Sequence, residues 1–270
     1  MAERFGTTED DCILLPAPLF TNIGNLTGLI QGEMFGAKMA LSHTGALVGD
    51  DAVFRAMVTR LGGHMAGSLD EMAAMLAVFS QGRRAPVRTI ASVHDSGGAR
   101  ELLADMAEGA GLRFATLSEQ TRATMLDVLE PGLKAENPLD AWGTGQGAER
   151  SFAKATEAMM ADPGVGAGLY VLNWRDGYYL HETHERALMA AHAMTSKPLI
   201  AVSNYSQSDG RGLARGLSEQ GIPMVFGMQN AVAAVKALVD HRPAAPRVLP
   251  LGDFGPAADW RARLDTCGWL

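Results

Sequence analysis

The sequence predicts an α/β protein whose core is a parallel sheet covered by helices on both faces, a three-layer flavodoxin-like arrangement. Two observations predict it. From Pro86 onward, five short apolar segments alternate with longer amphipathic ones, the pattern of strands buried on both faces and joined by crossover helices. The first of these segments runs directly into Ser96-Gly97-Gly98, the kind of turn that opens a helix at the carboxyl end of a strand, where such sheets gather their ligands.

Taken in order, Cys12 to Phe20 is apolar but broken by Pro16 and Pro18, which suits an extended crossing segment better than a helix. Gly24, Gly28, Gly32 and Gly36 recur every fourth residue, a spacing that either lets two helices pack closely or marks loops. Ala52, Phe54, Met57, Val58 and Leu61 follow helical spacing and Gly62-Gly63 ends that helix. Ser68-Leu69-Asp70-Glu71 reads as a cap with an acidic first turn, opening a helix through Phe79. Gln81 to Pro86 closes it, and a domain boundary is placed there.

Beyond the boundary, strands are expected at Arg88–Val93, Arg113–Leu117, Gly168–Leu172, Leu199–Val202 and Pro223–Phe226. The helix after Gly98 places Leu102, Leu103, Met106 and Ala110 on one face, and Ser118 caps another that carries Met125, Leu126 and Leu129. Asn137-Pro138-Leu139-Asp140 falls in a loop. Further helices are expected near Ala148–Met160, His184–Met194, Arg211–Glu219 and Asn230–Val239.

Composition sets the outer limits. The 270 residues suffice for one large or two small domains, and 47% hydrophobic with 20% charged residues is ordinary for a soluble globular chain. A formal net charge of -7 offers no basic field for nucleic acid or an anionic membrane surface, so neither is expected as a partner. Cys12 and Cys267 lie near opposite ends without metal or disulfide spacing, which fits a reducing, cytoplasmic setting. No export signal or membrane-spanning run is read.

Two stretches carry candidate chemistry. Ser42-His43-Thr44-Gly45-Ala46-Leu47-Val48-Gly49 leads into the helical segment from Asp51, which puts His43 at a helix mouth. Unpaired first-turn amides and the positive end of the dipole favour anions there, so His43 could carry a phosphoryl group; the plainer reading makes Ser42 an N-cap and His43 a first-turn residue. His94-Asp95-Ser96-Gly97-Gly98 forms a second such mouth, with amides, two glycines and a hydroxyl suited to a phosphate. Glycine turns of this kind also arise for steric reasons alone. Two helix mouths facing one phosphohistidine would stabilise it from both sides.

Other constellations have weaker standing. His181, Glu182, His184 and His192 lack the H-E-x-x-H spacing of a metal site, so no metal is expected and they read as polar residues on the surface at a helix start. Trp174, Tyr178 and Tyr179 follow a strand at the ligand-bearing edge, as pocket walls or as loop cover. Asn173 and Asn204 end two strands and could orient a ligand; Arg100 could reach a phosphate or carboxylate, although an exposed arginine on a helix is the usual case. A serine-hydrolase alternative takes Ser96 as nucleophile at a strand-turn-helix elbow, with Asp209 and His241 completing a triad. A non-catalytic phosphate- or CoA-binding module is the remaining alternative.

Together the Ser42–Gly49 run, the Asp95–Gly98 turn, Asn137–Asp140 and the Lys197-Pro198 to Val202 strand resemble the NDP-forming acyl-CoA synthetases, the ADP-forming acetate–CoA ligase group related to succinyl-CoA synthetase. The resemblance covers Lys38 to His241, and S-H-T-G-A-L is its most specific part. It implies phosphorylation of His43 during turnover, with Ser42, Thr44, Gly45, Ser96, Gly97 and Gly98 around the phosphate. It implies interconversion of acyl-CoA, ADP and phosphate with acid, CoA and ATP. It implies a partial phosphohistidine-bearing segment at 1–84, a flavodoxin-like ligase domain at 85–242, and a linker at 243–270 toward an ATP-grasp domain. CoA and ADP/ATP with Mg would then be held through ATP-grasp and CoA-binding domains or subunits, none strongly by this chain alone. The chain is expected to be incomplete by itself and to associate into an oligomer, with an acid or acyl-CoA as substrate.

Overall fold

The computed structural model describes residues 12–15, 38–41, 51–60 and 62–242. Two short strands come first, β1 (Cys12–Leu15) and β2 (Lys38–Leu41), which pair in parallel with Cys12 opposite Lys38 and Leu15 opposite Leu41. Helix α1 spans Asp51–Arg60. It ends at Gly62, whose φ of 80 only glycine adopts readily, with Gly62 N–H donating to Thr59 O and Gly63 N–H to Val58 O. Helix α2 (Leu69–Phe79) opens as the sequence predicts: Ser68 Oγ accepts the Glu71 amide at 3.1 Å, and Glu71 Oε2 accepts the Gly67 amide at 2.7 Å.

From residue 89 strands and helices alternate. The series runs β3 (Thr89–His94), α3 (Gly97–Gly109), β4 (Arg113–Phe114), α4 (Glu119–Leu126), β5 (Leu139–Asp140), α5 (Ala148–Ala161) and β6 (Ala167–Leu172). It closes with α6 (His181–Ala193), β7 (Leu199–Ser203), α7 (Arg211–Glu219), β8 (Met224–Phe226) and α8 (Met228–Asp240). The sheet is all parallel in the order β4-β3-β6-β7-β8, with β5 added to β3. Numbered within the sheet this is the 2-1-3-4-5 order of flavodoxin-like folds, whose direction of winding reverses between β3 and β6.

Each face of the sheet is covered. Ala91, Val93, Tyr170, Leu172 and Ala201 point to the layer of α4, α5, α6 and α7, where Phe152, Met159, Leu188 and Leu217 are fully buried. Ile90, Leu169, Val171, Ile200 and Val202 point the other way, against Leu103 of α3, Val78 of α2 and Val235 of α8. All six residues of β6 are buried, which is why its sequence, AGLYVL, shows no alternation.

Several boundaries differ from the sequence reading. β4 stops at Phe114 rather than Leu117, and the Asn137–Asp140 stretch read as loop supplies a sixth strand. Both differences come from one substitution of partners along the edge of β3. After Ala115 N–H donates to Ile90 O at 2.8 Å, the chain turns away and Asn137 fills the gap. Its Oδ1 accepts the Ser92 amide at 3.1 Å, while Nδ2 donates to Ile90 O at 2.9 Å and to Ala115 O at 3.0 Å. β5 then pairs with Val93 and His94. On α3 the buried face is Leu103 and Ala107, and Leu102, expected inside, is 48% exposed. On α4 Met125 is buried while Leu126 faces solvent. α6 begins at His181, three residues before the predicted start.

Candidate functional site

In a parallel sheet every crossover helix begins at the carboxyl edge, and the crevice between the two strands where winding reverses is where ligands bind. Here those strands are β3 and β6, so the edge brings together Asp95 and Ser96 after β3, Asp140 at the end of β5, and Asn173 to Tyr178 after β6. Ser96 is the N-cap residue of α3, in extended backbone, and its hydroxyl caps none of the helix amides. The first intrahelical bond is Arg100 N–H to Ser96 O at 3.0 Å. The amides of Gly97, Gly98 and Ala99 precede that bond, so the mouth of α3 presents donors to the crevice.

Glycine at 97 has a steric reason: a Cβ there would lie 3.1 Å from Asp140 Oδ2, tighter than ordinary contact. The register that places His94 opposite Asp140 therefore puts one carboxylate against the first turn of α3. A second, Asp95, stands half-buried at the same turn. Burial drives its carboxyl up to about 6, and the neighbouring Asp140 charge adds to this while its own backbone amide works against it. Arg100, which the sequence allows to reach a phosphate or a carboxylate, is held by the carboxylates of Glu136 and Glu101, both in contact with its guanidinium.

His94 ends β3 fully buried, with Nε2 on Ser92 Oγ at 2.8 Å and Nδ1 without a partner. Burial pushes it down to about 3, so it is neutral at ordinary pH. Trp174 belongs to the core at 1% exposed, its indole N–H on Tyr170 O at 3.3 Å, and serves as neither pocket wall nor loop cover. Tyr178 is half-buried beneath the Arg175 guanidinium, 4.8 Å from the ring centroid, and Tyr179 is 80% exposed. Asp176 reaches across from the same loop to the mouth of α7, where its carboxylate accepts the amides of Gly212 and Leu213. That helix mouth is thus already occupied by a protein carboxylate. Asn173 and Asn204 lie just past β6 and β7; Asn204 Oδ1 is buried without a partner.

The histidines of α6 are dispersed rather than clustered, and one reading of them needs correction. His184, taken as a surface residue, is fully buried in a cage of Trp142, Phe152, Tyr170 and Trp174, with Nδ1 3.1 Å from Tyr170 Oη; burial pushes it down to about 4. His181 Nδ1 meets Tyr178 O and His192 meets Arg83. The triad of the hydrolase alternative also fails on placement. His241 follows the last turn of α8, which starts at the carboxyl edge and runs back some 20 Å, and its ring packs on His64 and Phe79. Ser96 stands at the opposite edge.

Ser42, His43, Thr44 and Gly45 lie outside the described residues, as does the Gly24–Gly36 repeat. Of the expected phosphate-binding set, Ser96, Gly97 and Gly98 are placed, all at the switch-point edge. The sequence places Asp95 in this turn without giving it a role. A carboxylate between a buried strand and a glycine turn is the signal that points to it.

Comparison with known proteins adds what geometry alone does not. The family described as "Succinyl-CoA ligase like flavodoxin domain" matches residues 31–79, a stretch that contains the Ser42–Gly49 run and ends with α2, upstream of the six-stranded sheet. The alpha subunit of acetate–CoA ligase (ADP-forming) II from Pyrococcus furiosus is 28% identical over 215 residues. The alignment covers 76% of this chain and 45% of that subunit. The chain is similar in sequence to ADP-forming acetate–CoA ligases. A second of these, acetate–CoA ligase (ADP-forming) II of Archaeoglobus fulgidus, is 32% identical over 133 residues, 48% of this chain and 20% of that protein. The chain thus spans less than half the length of these curated relatives. The apo structure of the dinucleotide-forming acetyl-coenzyme A synthetase 1 of Candidatus Korarchaeum cryptofilum shares the fold, with a TM-score of 0.63 at 16% identity over 84% of this chain and 52% of that one. A second structure of that protein is a complex with phosphate and ADP. Among the described residues no helix is long and apolar enough to cross a membrane.

Proposed function

We propose that this chain is part of an acid–CoA ligase of the NDP-forming type and that His43 carries the phosphoryl group between the acyl and nucleotide half-reactions. Phosphate attacks the thioester carbonyl of an acyl-CoA, the C–S bond breaks, and CoA leaves as the thiol. A ring nitrogen of His43 then attacks the phosphorus of the acyl phosphate, the P–O bond to the carboxylate breaks, and the free acid leaves. ADP takes the phosphoryl group from His43 to give ATP, and the reverse sequence activates an acid.

The α3 mouth is the second half of this site. The amides that precede Arg100 N–H are not capped by Ser96, so they can donate to phosphoryl oxygens, with Gly97 and Gly98 admitting a close approach. Residues 1–84 would bear the histidine, 85–242 form the ligase domain, and 243–270 lead toward an ATP-grasp domain. The ATP-grasp and CoA-binding parts, on this or another chain, would hold ADP/ATP with Mg and CoA.

The observation that carries the reading is the S-H-T-G-A-L run. It lies inside the segment matched by the succinyl-CoA-ligase-like family, in a chain whose curated relatives include ADP-forming acetate–CoA ligases. The test is reconstitution with the ATP-grasp and CoA-binding parts, reading ATP formed from acetyl-CoA, ADP and phosphate. His43→Ala is expected to abolish ATP formation while leaving the far-ultraviolet circular dichroism unchanged. Retained turnover in that variant would show His43 to be misassigned.

A further inference from the structure

The connection before α2 and the residue after α8 meet at a pair of histidines. His64 Nε2 lies 3.2 Å from His241 Nδ1, although 177 positions separate them in sequence. Phe79 of α2 packs on both rings, with centroids 5.8 Å from His64 and 5.3 Å from His241, the second contact edge-on. Other described histidines are taken up singly: His94 by Ser92, His184 by Tyr170, His181 by the Tyr178 carbonyl and His192 by Arg83. The pair stands where α8 ends, at the edge of the sheet opposite Ser96, so it is separate from the α3 mouth.

The same separation suits a shared metal ion. With zinc–nitrogen bonds of about 2.0–2.1 Å and a tetrahedral angle between them, two ligand nitrogens stand about 3.3–3.4 Å apart. The hydrogen bond needs one of the two nitrogens protonated, whereas an ion needs both lone pairs. A neutral imidazole supplies its lone pair by moving the proton to its other ring nitrogen, so none is released. Burial, then the neighbouring His241, pushes His64 down to about 4 against the pull of Asp240, which leaves its ring neutral at ordinary pH. A cavity of about 630 Å³ opens beside His64, walled also by Glu71, Asp240, Met65, Met75 and Met106, with room for the rest of a coordination shell.

We propose that His64 Nε2 and His241 Nδ1 together bind a divalent ion of the zinc class, with water from the adjoining cavity filling the remaining positions. Among the described residues no group of three or more His, Cys, Asp or Glu side chains is placed to hold a metal, so the protein supplies two ligands and the ion is exchangeable. Asp240, next in sequence to His241, is engaged by Lys236 and stands 3.9 Å from Arg88, and is not counted among the ligands. The bound ion ties the segment that leads into α2 to the residue that follows α8. It does so independently of any role for His43.

The test is calorimetric titration of the untagged full chain with zinc at neutral pH, where one ion per chain is expected to bind. His64→Gln and His241→Gln each keep an amide able to hydrogen-bond the remaining imidazole but remove a zinc ligand. Each is expected to weaken binding at least about tenfold, the least that loss of a supporting group around a metal costs. His181→Gln and His192→Gln are expected to leave the affinity unchanged. A measurement on the wild type alone guards against misfolded variants: two of the seven imidazoles should shift in nitrogen–proton correlation spectra as zinc reaches one ion per chain. Absence of stoichiometric zinc binding, wild-type affinity retained in His64→Gln or in His241→Gln, or shifts confined to a single imidazole would overturn the proposal.

Discussion

Replacing Asn137 with alanine removes the side chain that joins two partial strands to one edge of β3. Three hydrogen bonds go with it, from Ser92 N–H and to the carbonyls of Ile90 and Ala115. A net contribution of about 1 kcal/mol per bond gives about 3 kcal/mol, and the Ser92 amide, on a fully buried residue, loses its partner without gaining solvent. A loss of about 3–4 kcal/mol is therefore expected, a large share of the stability of a domain this size. Urea denaturation followed by circular dichroism reads it: with a slope of about 2 kcal/mol per molar, the midpoint drops by roughly 1.5–2 M. Asn137→Asp keeps the acceptor for Ser92 but sets a carboxylate against two carbonyls, so it is expected to be at least as damaging at neutral pH and to recover part of the loss in acid. A loss below about 1 kcal/mol in Asn137→Ala, with an unchanged slope, would refute the bridging role.

Three further outcomes follow from neighbouring features. Gly166→Ala would drive a Cβ into the Val87 carbonyl oxygen, a backbone atom that cannot swing aside, and should cost about 3 kcal/mol or more by thermal melting; a loss near zero would mean the β3–β6 entry is mobile. Ser96→Ala, which removes no cap bond, should change stability by less than about 0.5 kcal/mol yet weaken sulfate binding; a clear destabilisation would identify Ser96 as a cap instead. Asp95 has a folded-state carboxyl raised to about 6, so the folded protein binds more protons than the unfolded chain and wild-type stability falls as pH rises from about 4 to about 6. Asp95→Asn should remove that decline. It should gain about 1–2 kcal/mol at pH 7 after allowance for solvent screening, and nothing near pH 4; equal gains at both would assign the effect to packing.

How far the sequence carried depends on which residues are considered. The alternation of AGLYVL and LIAVS with amphipathic helices identified the sheet, because strands buried on both faces must be apolar throughout. β5 was invisible: two residues carry no period, and its pairing depends on Asn137, whose amide stands in for a missing stretch of strand. His184 was misread because a histidine in a polar run gives no local sign that a helix will turn it into an aromatic cage. Ser96, Gly97 and Gly98 were legible as a helix mouth. Asp140 acquires meaning only when the β3–β5 register sets it against the first turn of α3, where its charge acts on Asp95.

The phosphohistidine itself is the most direct measurement of the central claim. The chain is incubated with its ATP-grasp and CoA-binding parts, Mg and ATP labelled in the terminal phosphate, then quenched in base and digested for mass spectrometry. The account predicts acid-labile, base-stable phosphate on His43, discharged by acetate and CoA and missing from His43→Ala. Label on any other residue, or none with all parts present and active, would contradict it.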